Sequence, residues 1–200
     1  VSVVMINQPS KDPSDMKLKT LARTAVGVLP LLSVACSTTE PNRNPVGEAF
    51  PVVQGESLKK QVVELPAAVS GEPAILMVGY VQQTQFDLDR WAMGLTQAGS
   101  TTRILEVPAI PATFPSTFLR STIDNGMRAG IPSEDWGSVV TLYGKDAEQV
   151  AKFTGTQNAR NGRILLLDDR GTVRWFWDQG YSVKRAMELL ETANGLEKKK

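Results

Sequence analysis

The chain has 200 residues, 42% of them hydrophobic and 22% charged, and its formal net charge is +1. This is the composition of a globular protein, and so small a charge provides no basic surface for nucleic acid. The chain lacks histidine and has one cysteine, Cys36, which excludes an internal disulfide, Cys-rich zinc sites and His-activated nucleophiles. We predict neither a metal site nor a cofactor; enzymatic chemistry here would have to use carboxylates, lysines, hydroxyl groups or a borrowed cofactor.

Residues 16–35 have the form of an export signal. Basic residues come first, followed by an apolar run of about twelve residues, and Ala35 directly precedes Cys36. The run is too short to span a bilayer as a helix, which takes about 20 residues. A buried core helix is one alternative, although Pro30 would interrupt it. A simple cleaved signal that leaves Cys36 as a free thiol is another.

The sequence SVAC, which ends at Cys36, resembles the lipobox of bacterial lipoproteins, although Leu32 stands one place early and Ser33 takes the usual place of leucine. The resemblance implies that Cys36 is acylated, with palmitate or a similar chain, and becomes the first residue of the mature protein. Two or more acyl chains hold a protein on a membrane, whereas one binds only marginally. Ser37 then implies the outer membrane of a bacterial cell envelope, on the side that faces the periplasm.

The rest of the chain divides by composition. Residues 1–15 contain two acidic residues and two prolines and fit no export signal, so we expect translation to start at Met16. Residues 36–49 are rich in Pro, Asn, Ser and Thr without an apolar period, and they are predicted to be a flexible tether. Residues 50–196 are the predicted domain, and residues 197–200 form a basic tail.

Strand and helix patterns alternate along the predicted domain, which indicates an α/β fold with a central mixed sheet flanked by helices. The order implies a mainly parallel sheet to which a late hairpin adds an antiparallel pair. The predicted elements are an N-terminal hairpin (50–66), a strand (74–80), a helix (85–99), a strand closed by Pro108 (101–108), a helix (115–130), a strand (138–144), a helix (146–155), a hairpin (163–177) and a helix (182–196).

The last predicted strand is rich in aromatic side chains. Strict alternation places Val173, Trp175 and Trp177 on one face, and Arg174 and Phe176 on the other. Such aromatics commonly cover the face of a sheet. A stacking platform for a base or a sugar is the alternative.

The stretch from Val139 to Trp175 contains the pattern R-x-x-x-L-D-x-x-G-x-V-R after a strand and a helix that ends in FTG. It resembles the C-terminal half of the peroxiredoxin-like branch of the thioredoxin-like superfamily, which implies a thioredoxin-like fold over about residues 50–194. A weaker similarity, carried by LLD-x-x-G-x-x-RW, is to the mitochondrial ATP synthase assembly factor family, whose members lack redox cysteines.

In the thioredoxin-like enzymes the reactive cysteine lies where the first βαβ strand meets its helix, because a helix N-terminus stabilises a thiolate. In this chain that junction reads GYVQQTQFDLD and contains no cysteine. The loop that normally presents a cis-proline corresponds to residues 158–162, NARNG, and it has no proline. The resemblance therefore implies a domain without thiol chemistry and assigns Cys36, about fifty residues upstream, to anchoring.

Two carboxylate pairs are candidates for other chemistry. Asp87 and Asp89 stand two apart near a helix start, where they cannot share a helix face, so we expect them to stabilise the helix dipole rather than act as an acid–base pair. Asp168 and Asp169 could bind a cation, but DDRG is typical of a hairpin turn.

The sequence thus predicts a lipid-anchored envelope protein, attached to the membrane through Cys36, that binds or helps to assemble an envelope protein partner and does not bind nucleic acid. The alternative is a peroxiredoxin-like enzyme with a non-cysteine site or an unidentified cofactor. A partner is expected at the junction and the loop that faces it, although a merely solvated surface is possible there. The predicted contact residues are Gln82, Gln83, Thr84 and Gln85 on one side and Asn158, Arg160 and Asn161 on the other.

Overall fold

The computed structural model describes residues 39–110 and 117–198, and the side chains of 117–119 are outside that description. Cys36, the predicted signal and the last two residues of the basic tail therefore lie outside the described residues. In chain order the elements are β1 (Val53–Ser57), β2 (Val62–Leu65), β3 (Ala74–Gly79), α1 (Gln85–Gln97), β4 (Arg103–Ile110), α2 (Thr117–Gly130), β5 (Val140–Tyr143), α3 (Lys145–Thr154), β6 (Arg163–Leu167), β7 (Val173–Trp177) and α4 (Val183–Glu197).

The strands form one mixed sheet in the order β2-β1-β5-β4-β3-β6-β7, which confirms the predicted mixed sheet and its N-terminal hairpin. The expectation of a mainly parallel sheet is wrong, because only β3–β4 and β4–β5 are parallel and the other four pairings are antiparallel. The reason lies in α3. Its last residue, Thr154, shares a 2.6 Å hydrogen bond with Tyr80, which directly follows β3. The chain thus begins β6 from the end where β3 finishes, and β6 runs back along β3.

Both faces of the sheet are buried at β3, as its continuous apolar run predicts, whereas β1 and β2 keep exposed residues. Ile75 and Met77 pack under α1 and α4, whereas Leu76 and Val78 pack on the opposite face under α3. Trp91 on α1 is fully buried, as its place on the apolar stripe predicts. Among the helices of the described ranges, none combines the length and the apolar character that a membrane crossing requires.

The hairpin of β6 and β7 contains a register shift, which changes the predicted faces of the last strand. The shift leaves Arg174 as an extra residue, as in a β-bulge. Val173 therefore packs on the same face as Phe176, while Trp175 and Trp177 pack on the other, so the predicted alternation is wrong for Val173. The two tryptophans are half-buried against the α1 and α4 core, as expected of aromatics that cover a sheet.

One further boundary differs from the sequence prediction. β4 continues past Pro108, because its pairing with β5 resumes at Ala109 and Ile110 beyond the residue that cannot donate. The described part of α2 begins at Thr117, and residue 115, the predicted start of this helix, lies outside the described residues.

Residues 40–50 lie along the sheet rather than away from it. The Glu40 carbonyl accepts a hydrogen bond from the Thr156 amide (2.9 Å) at the end where β6 begins. The Phe50 amide donates to the Gly171 carbonyl (2.9 Å) at the opposite end. These residues of the predicted flexible tether are thus bound to the domain. The domain boundaries and the signal stay predictions.

Candidate functional site

The junction, residues 80–84, connects β3 to α1 and forms one side of the predicted site. Thr84 is only 1% exposed. Its hydroxyl donates to the carbonyl of Ala159 (2.7 Å) and accepts from the amide of Val81 (3.3 Å). Thr84 therefore ties the junction to the facing loop, residues 155–162, and its hydroxyl is not free to contact a partner.

The facing loop is shaped by Arg163, the first residue of β6, which is fully buried. A buried guanidinium needs its donors satisfied, and this one has a fixed fork of five N–H groups. It donates to the carbonyl oxygens of Gly155 (3.2 Å), Gln157, Asn158 (3.2 Å) and Asn161 (2.7 Å) and to the side-chain oxygen of Asn42 (3.1 Å).

Burial lowers the pKa of Arg163, and the nearby Tyr80 and Asp178 groups offset only part of this effect. The guanidinium carbon lies 5.6 Å from the centroid of the Tyr80 ring. Burial also raises the pKa of the Tyr80 phenol, so this hydroxyl stays neutral beside the cation. Arg163 therefore organises the loop through main-chain carbonyl groups.

Asp87 braces the same region from α1. It is 2% exposed, and its two oxygens accept hydrogen bonds from the amides of Gly162 (2.9 Å) and Tyr181 (2.8 Å). The Arg90 guanidinium lies 3.4 Å from the same carboxylate. The predicted role of Asp87, a dipole-stabilising charge, is therefore incomplete, because its main contacts join α1 to the facing loop and to the chain before α4. Asp89 is exposed and accepts from Gln85 (2.9 Å).

The structure brings four of the seven predicted contact residues together. They line a shallow depression of ≈ 630 Å³, which we call the groove. Sequence reasoning missed two lining residues, Val81 and Ala159; an apolar Val81 among polar junction residues was the available signal. The groove is lined by Val81, Gln83, Asn158, Ala159, Arg160 and Asn161.

The other predicted contact residues lie elsewhere. Gln82 is exposed but does not line the groove. The Gln85 side chain donates to Asp89 on α1 and does not line the groove. Burial raises the pKa of Glu106 on β4, the nearby Gln85 side chain lowers it in part, and the charge of Asp89 raises it. Glu106 thus has a raised pKa, but it does not line the groove.

Some polar side chains of the groove make no hydrogen bond within the described domain. Within the described ranges, the side chains of Gln83, Asn158 and Arg160 make no hydrogen bond to one another or to the rest of the domain. The Asn161 side chain, in contrast, donates to the carbonyl of Asp178 (3.1 Å). The groove therefore presents two amides, which both donate and accept, and one guanidinium, beside the apolar side chain of Val81.

No protein-family model matches the sequence, and neither does any curated protein. Solved structures do match the fold. A putative protein disulfide isomerase from Bacteroides thetaiotaomicron is 12% identical with a TM-score of 0.53, over 80% of this chain and 95% of that one. Yeast Sco1 with copper bound is 14% identical with a TM-score of 0.52, over 76% and 94% of the two chains.

A SCO1/SenC family lipoprotein from Bacillus anthracis str. Ames is 11% identical with a TM-score of 0.51, over 78% of this chain and 99% of that one. The structural neighbours are thioredoxin-like and peroxiredoxin-like proteins. At identities this low the likeness establishes the fold alone. It confirms the thioredoxin-like fold that the sequence predicts.

Proposed function

We propose that this chain is a lipid-anchored protein of the bacterial cell envelope whose thioredoxin-like domain binds a protein partner in the groove and serves assembly or chaperoning. The observation that carries the proposal is the junction. Where thioredoxin-like enzymes place a reactive cysteine, this chain has Val81 to Thr84, and the Thr84 hydroxyl is already bonded to Ala159. The fold keeps the groove of a thiol enzyme and lacks its reacting atom.

The donors of the groove do not fit copper, the metal bound in the yeast Sco1 structure. Copper prefers thiolate, thioether and imidazole ligands. The chain has no histidine, no cysteine follows Cys36, and no methionine is among the residues that line the groove. In residues 39–110 and 117–198, no group of three or more Cys, His, Asp or Glu side chains could hold a metal ion. The groove offers amides and a guanidinium instead, so copper has no part in the proposed function.

A polypeptide segment suits the groove better than an ion. The amides of Gln83 and Asn158 can pair with the N–H and C=O groups of an extended backbone, and Arg160 can accept a carboxylate or a carbonyl oxygen. Val81, at 42% exposure, adds an apolar contact at one edge. This mixture is the one expected for recognition of an exposed chain segment.

Charge reversal tests binding in the groove. Gln83→Glu combined with Arg160→Glu changes two exposed side chains that the domain does not use, so the fold should persist by circular dichroism. Chemical crosslinking in intact envelopes should then lose the partner adduct. The matched control reverses two exposed residues at the far end of β6, Asp169→Arg with Arg170→Glu, and should keep it. Loss in the control together with retention in the groove variant would refute the proposal.

Anchoring has its own test, since Cys36 lies outside the described residues. The order of basic residues, apolar run, Ala35 and Cys36 supports it, and one of the similar structures is a lipoprotein. Metabolic labelling with a palmitate analogue should tag the wild-type chain, and Cys36→Ser should abolish the tag. Equal labelling of the two chains would contradict lipidation, and recovery in the inner-membrane fraction would contradict outer-membrane sorting.

A further inference from the structure

The chain enters its domain at the end that carries the groove. The Glu40 amide donates to the Thr156 hydroxyl (2.8 Å), and the Thr156 amide donates back to the Glu40 carbonyl (2.9 Å). Thr156 belongs to the facing loop, two residues before the groove residue Asn158. The entry segment, residues 40–43, is thus fixed to the loop that forms one wall of the groove.

Asn42 fixes the entry segment through three hydrogen bonds. Its amide donates to the side chain of Gln157 (3.3 Å), its side-chain nitrogen donates to Asp178 (2.8 Å), and its side-chain oxygen accepts from Arg163 (3.1 Å). Gly155 packs so closely on the entry segment that a Cβ there would lie 2.3 Å from the Cα of Asn42. The direction of entry is therefore set by the same contacts that shape the facing loop.

The opposite end of the domain lies far from this entry point. The β6–β7 turn, Asp168–Gly171, begins five positions after Arg163 at the other end of β6, about 17 Å along the strand. Residues 40–50 span this distance, and at the far end the Phe50 amide donates to the Gly171 carbonyl. Of the two ends of β6, the groove end is therefore the one at which Glu40 lies, so the residues that precede Glu40 join the domain there.

Glu40 stands four positions after Cys36, and an extended chain over these four steps reaches about 14 Å at most. We infer that the groove is held beside the membrane surface, so that the segment it binds is the part of a membrane protein that emerges directly from the bilayer. This inference rests on the proposed lipidation of Cys36. A flexible tether ending at residue 49 would have placed the domain up to about 43 Å away.

Exposed apolar side chains at the same end agree with this orientation. Phe86, in the first turn of α1, is 74% exposed, and Val81 borders the groove. Arg160 adds a positive charge, which the anionic surface of a membrane attracts. An end that carries aromatic, aliphatic and cationic groups is suited to lie close to headgroups.

Fluorescence quenching measures the orientation directly. A fluorophore is attached to Gln83→Cys or to Asp169→Cys in the lipidated full chain, whose own cysteine is acylated, on vesicles of phosphatidylethanolamine and phosphatidylglycerol with a headgroup-linked quencher. Emission from position 83 should be quenched several-fold more than emission from position 169. Equal quenching, or stronger quenching at 169, overturns the inference.

Flotation separates this inference from the anchor on which it rests. The lipidated chain should float with the vesicles, and Cys36→Ser should not. Failure of the lipidated chain to float overturns both the anchor and the orientation, whereas flotation with equal quenching overturns the orientation alone.

Lengthening the anchor provides a second readout. A Gly-Ser spacer of about 20 residues inserted between Thr38 and Thr39 leaves the contacts of Glu40 and Asn42 in place and adds about 25 Å of root-mean-square reach. Quenching at position 83 should fall toward the level at 169, and crosslinking to the partner should fall with it. The same spacer after Lys198 is the control and should change neither. A partner adduct that persists with the N-terminal spacer contradicts membrane-proximal recognition.

Discussion

The loops at the two ends of β6 can be compared directly, because each borders a depression of similar volume, ≈ 630 Å³ at the groove and ≈ 590 Å³ beside the β6–β7 turn. At the turn, the Asp168 carboxylate accepts hydrogen bonds from the amides of Arg170 and Thr172 (2.9 Å each) and from the Arg174 guanidinium (2.7 Å). The charges of Asp168 and Arg174 thus face each other, whereas Asp169 and Arg170 are exposed. This is the hairpin-turn chemistry predicted for DDRG rather than a cation site.

At the facing loop the buried charged group has the opposite sign to that of the turn. The buried group is a cation, Arg163, and it satisfies main-chain carbonyls instead of amides. Because these carbonyls need no side-chain donors from the loop, Asn158 and Arg160 remain available in the groove. The buried charge of the turn is paired with a neighbouring side chain, whereas the buried charge of the facing loop binds main-chain carbonyls. This difference, more than volume, is why we propose the groove as the binding surface.

The largest expected effect comes from removing the buried cation. Arg163→Met leaves several buried carbonyls without a donor, and each such group costs about 1–3 kcal/mol. We expect a loss of about 4 kcal/mol in the free energy of unfolding, measured by urea denaturation, with faster amide hydrogen exchange across 155–162.

Arg174→Met is the matched control for the turn, since it removes one guanidinium bond and leaves both amide donors of Asp168 in place. It should cost about 1 kcal/mol. Equal losses from the two substitutions would remove the contrast between the loops.

The next effect concerns the packing of the entry segment on the facing loop. Gly155 has φ +79°, and an added Cβ would meet the Asn42 backbone at 2.3 Å. Gly155→Ala should therefore cost about 3 kcal/mol and expose the amides of Glu40, Asn42 and Arg43 to exchange. Gly47→Ala is the control, because Gly47 has φ +92° but nothing within 4 Å of the new Cβ. Gly47→Ala should lower the free energy of unfolding by only about 1 kcal/mol. A similar loss for both substitutions would show that backbone strain at positive φ, and not the contact with Asn42, causes the effect.

A pH-dependent effect is expected at the turn. Burial raises the pKa of Asp168, but the bonds from Thr172, Arg170 and Arg174 outweigh it and hold the pKa below the ordinary 3.8. Its contribution to stability is therefore present above pH 3.8 and is lost as the pH falls further. Asp168→Asn should cost about 2 kcal/mol at pH 7.

The difference between wild type and Asp168→Asn should shrink on acidification below the ordinary carboxyl pKa, as measured by urea denaturation across the acid range. Asp169→Asn, at an exposed position, should change the unfolding free energy by less than about 0.5 kcal/mol at any pH. A gap for Asp168→Asn that stays constant into acid would contradict the assigned bonds.

The smallest effect on stability should come from the groove itself. Gln83→Ala and Arg160→Ala remove side chains that the described domain does not use, so each should change the unfolding free energy by less than about 0.5 kcal/mol. A loss above about 1.5 kcal/mol in thermal or urea unfolding would mean that these groups are structural and that the groove is not open.

The sequence predicted the features that repeat locally. The apolar run of β3 and the stripe of α1 follow from periodicity, and the fold followed from the pattern after Val139. The resemblance also led to Gln83 and to Arg160, because the fold fixes which strand–helix junction meets which loop.

The missed features depend on contacts between distant parts of the chain. Arg163 looks like the first residue of a strand, and nothing local reveals that its donors serve four carbonyls and Asn42, 121 residues away. Asp87 reaches Gly162 across 75 residues. The bulge at Arg174 shifts Val173 to the other face without a glycine or proline to mark it. Such contacts follow from tertiary structure, which periodicity does not record.

We propose above all that the groove, without a thiol, is the surface that holds a partner. A photocrosslinking amino acid placed at Gln83 or at Asp169 in the full chain, which is expressed in its own cells and irradiated, tests this proposal. We expect a discrete adduct from position 83 that disappears when Arg160→Glu is added, and none from position 169. Adducts of the same masses from both positions, or an adduct from 83 that is indifferent to Arg160→Glu, would contradict it.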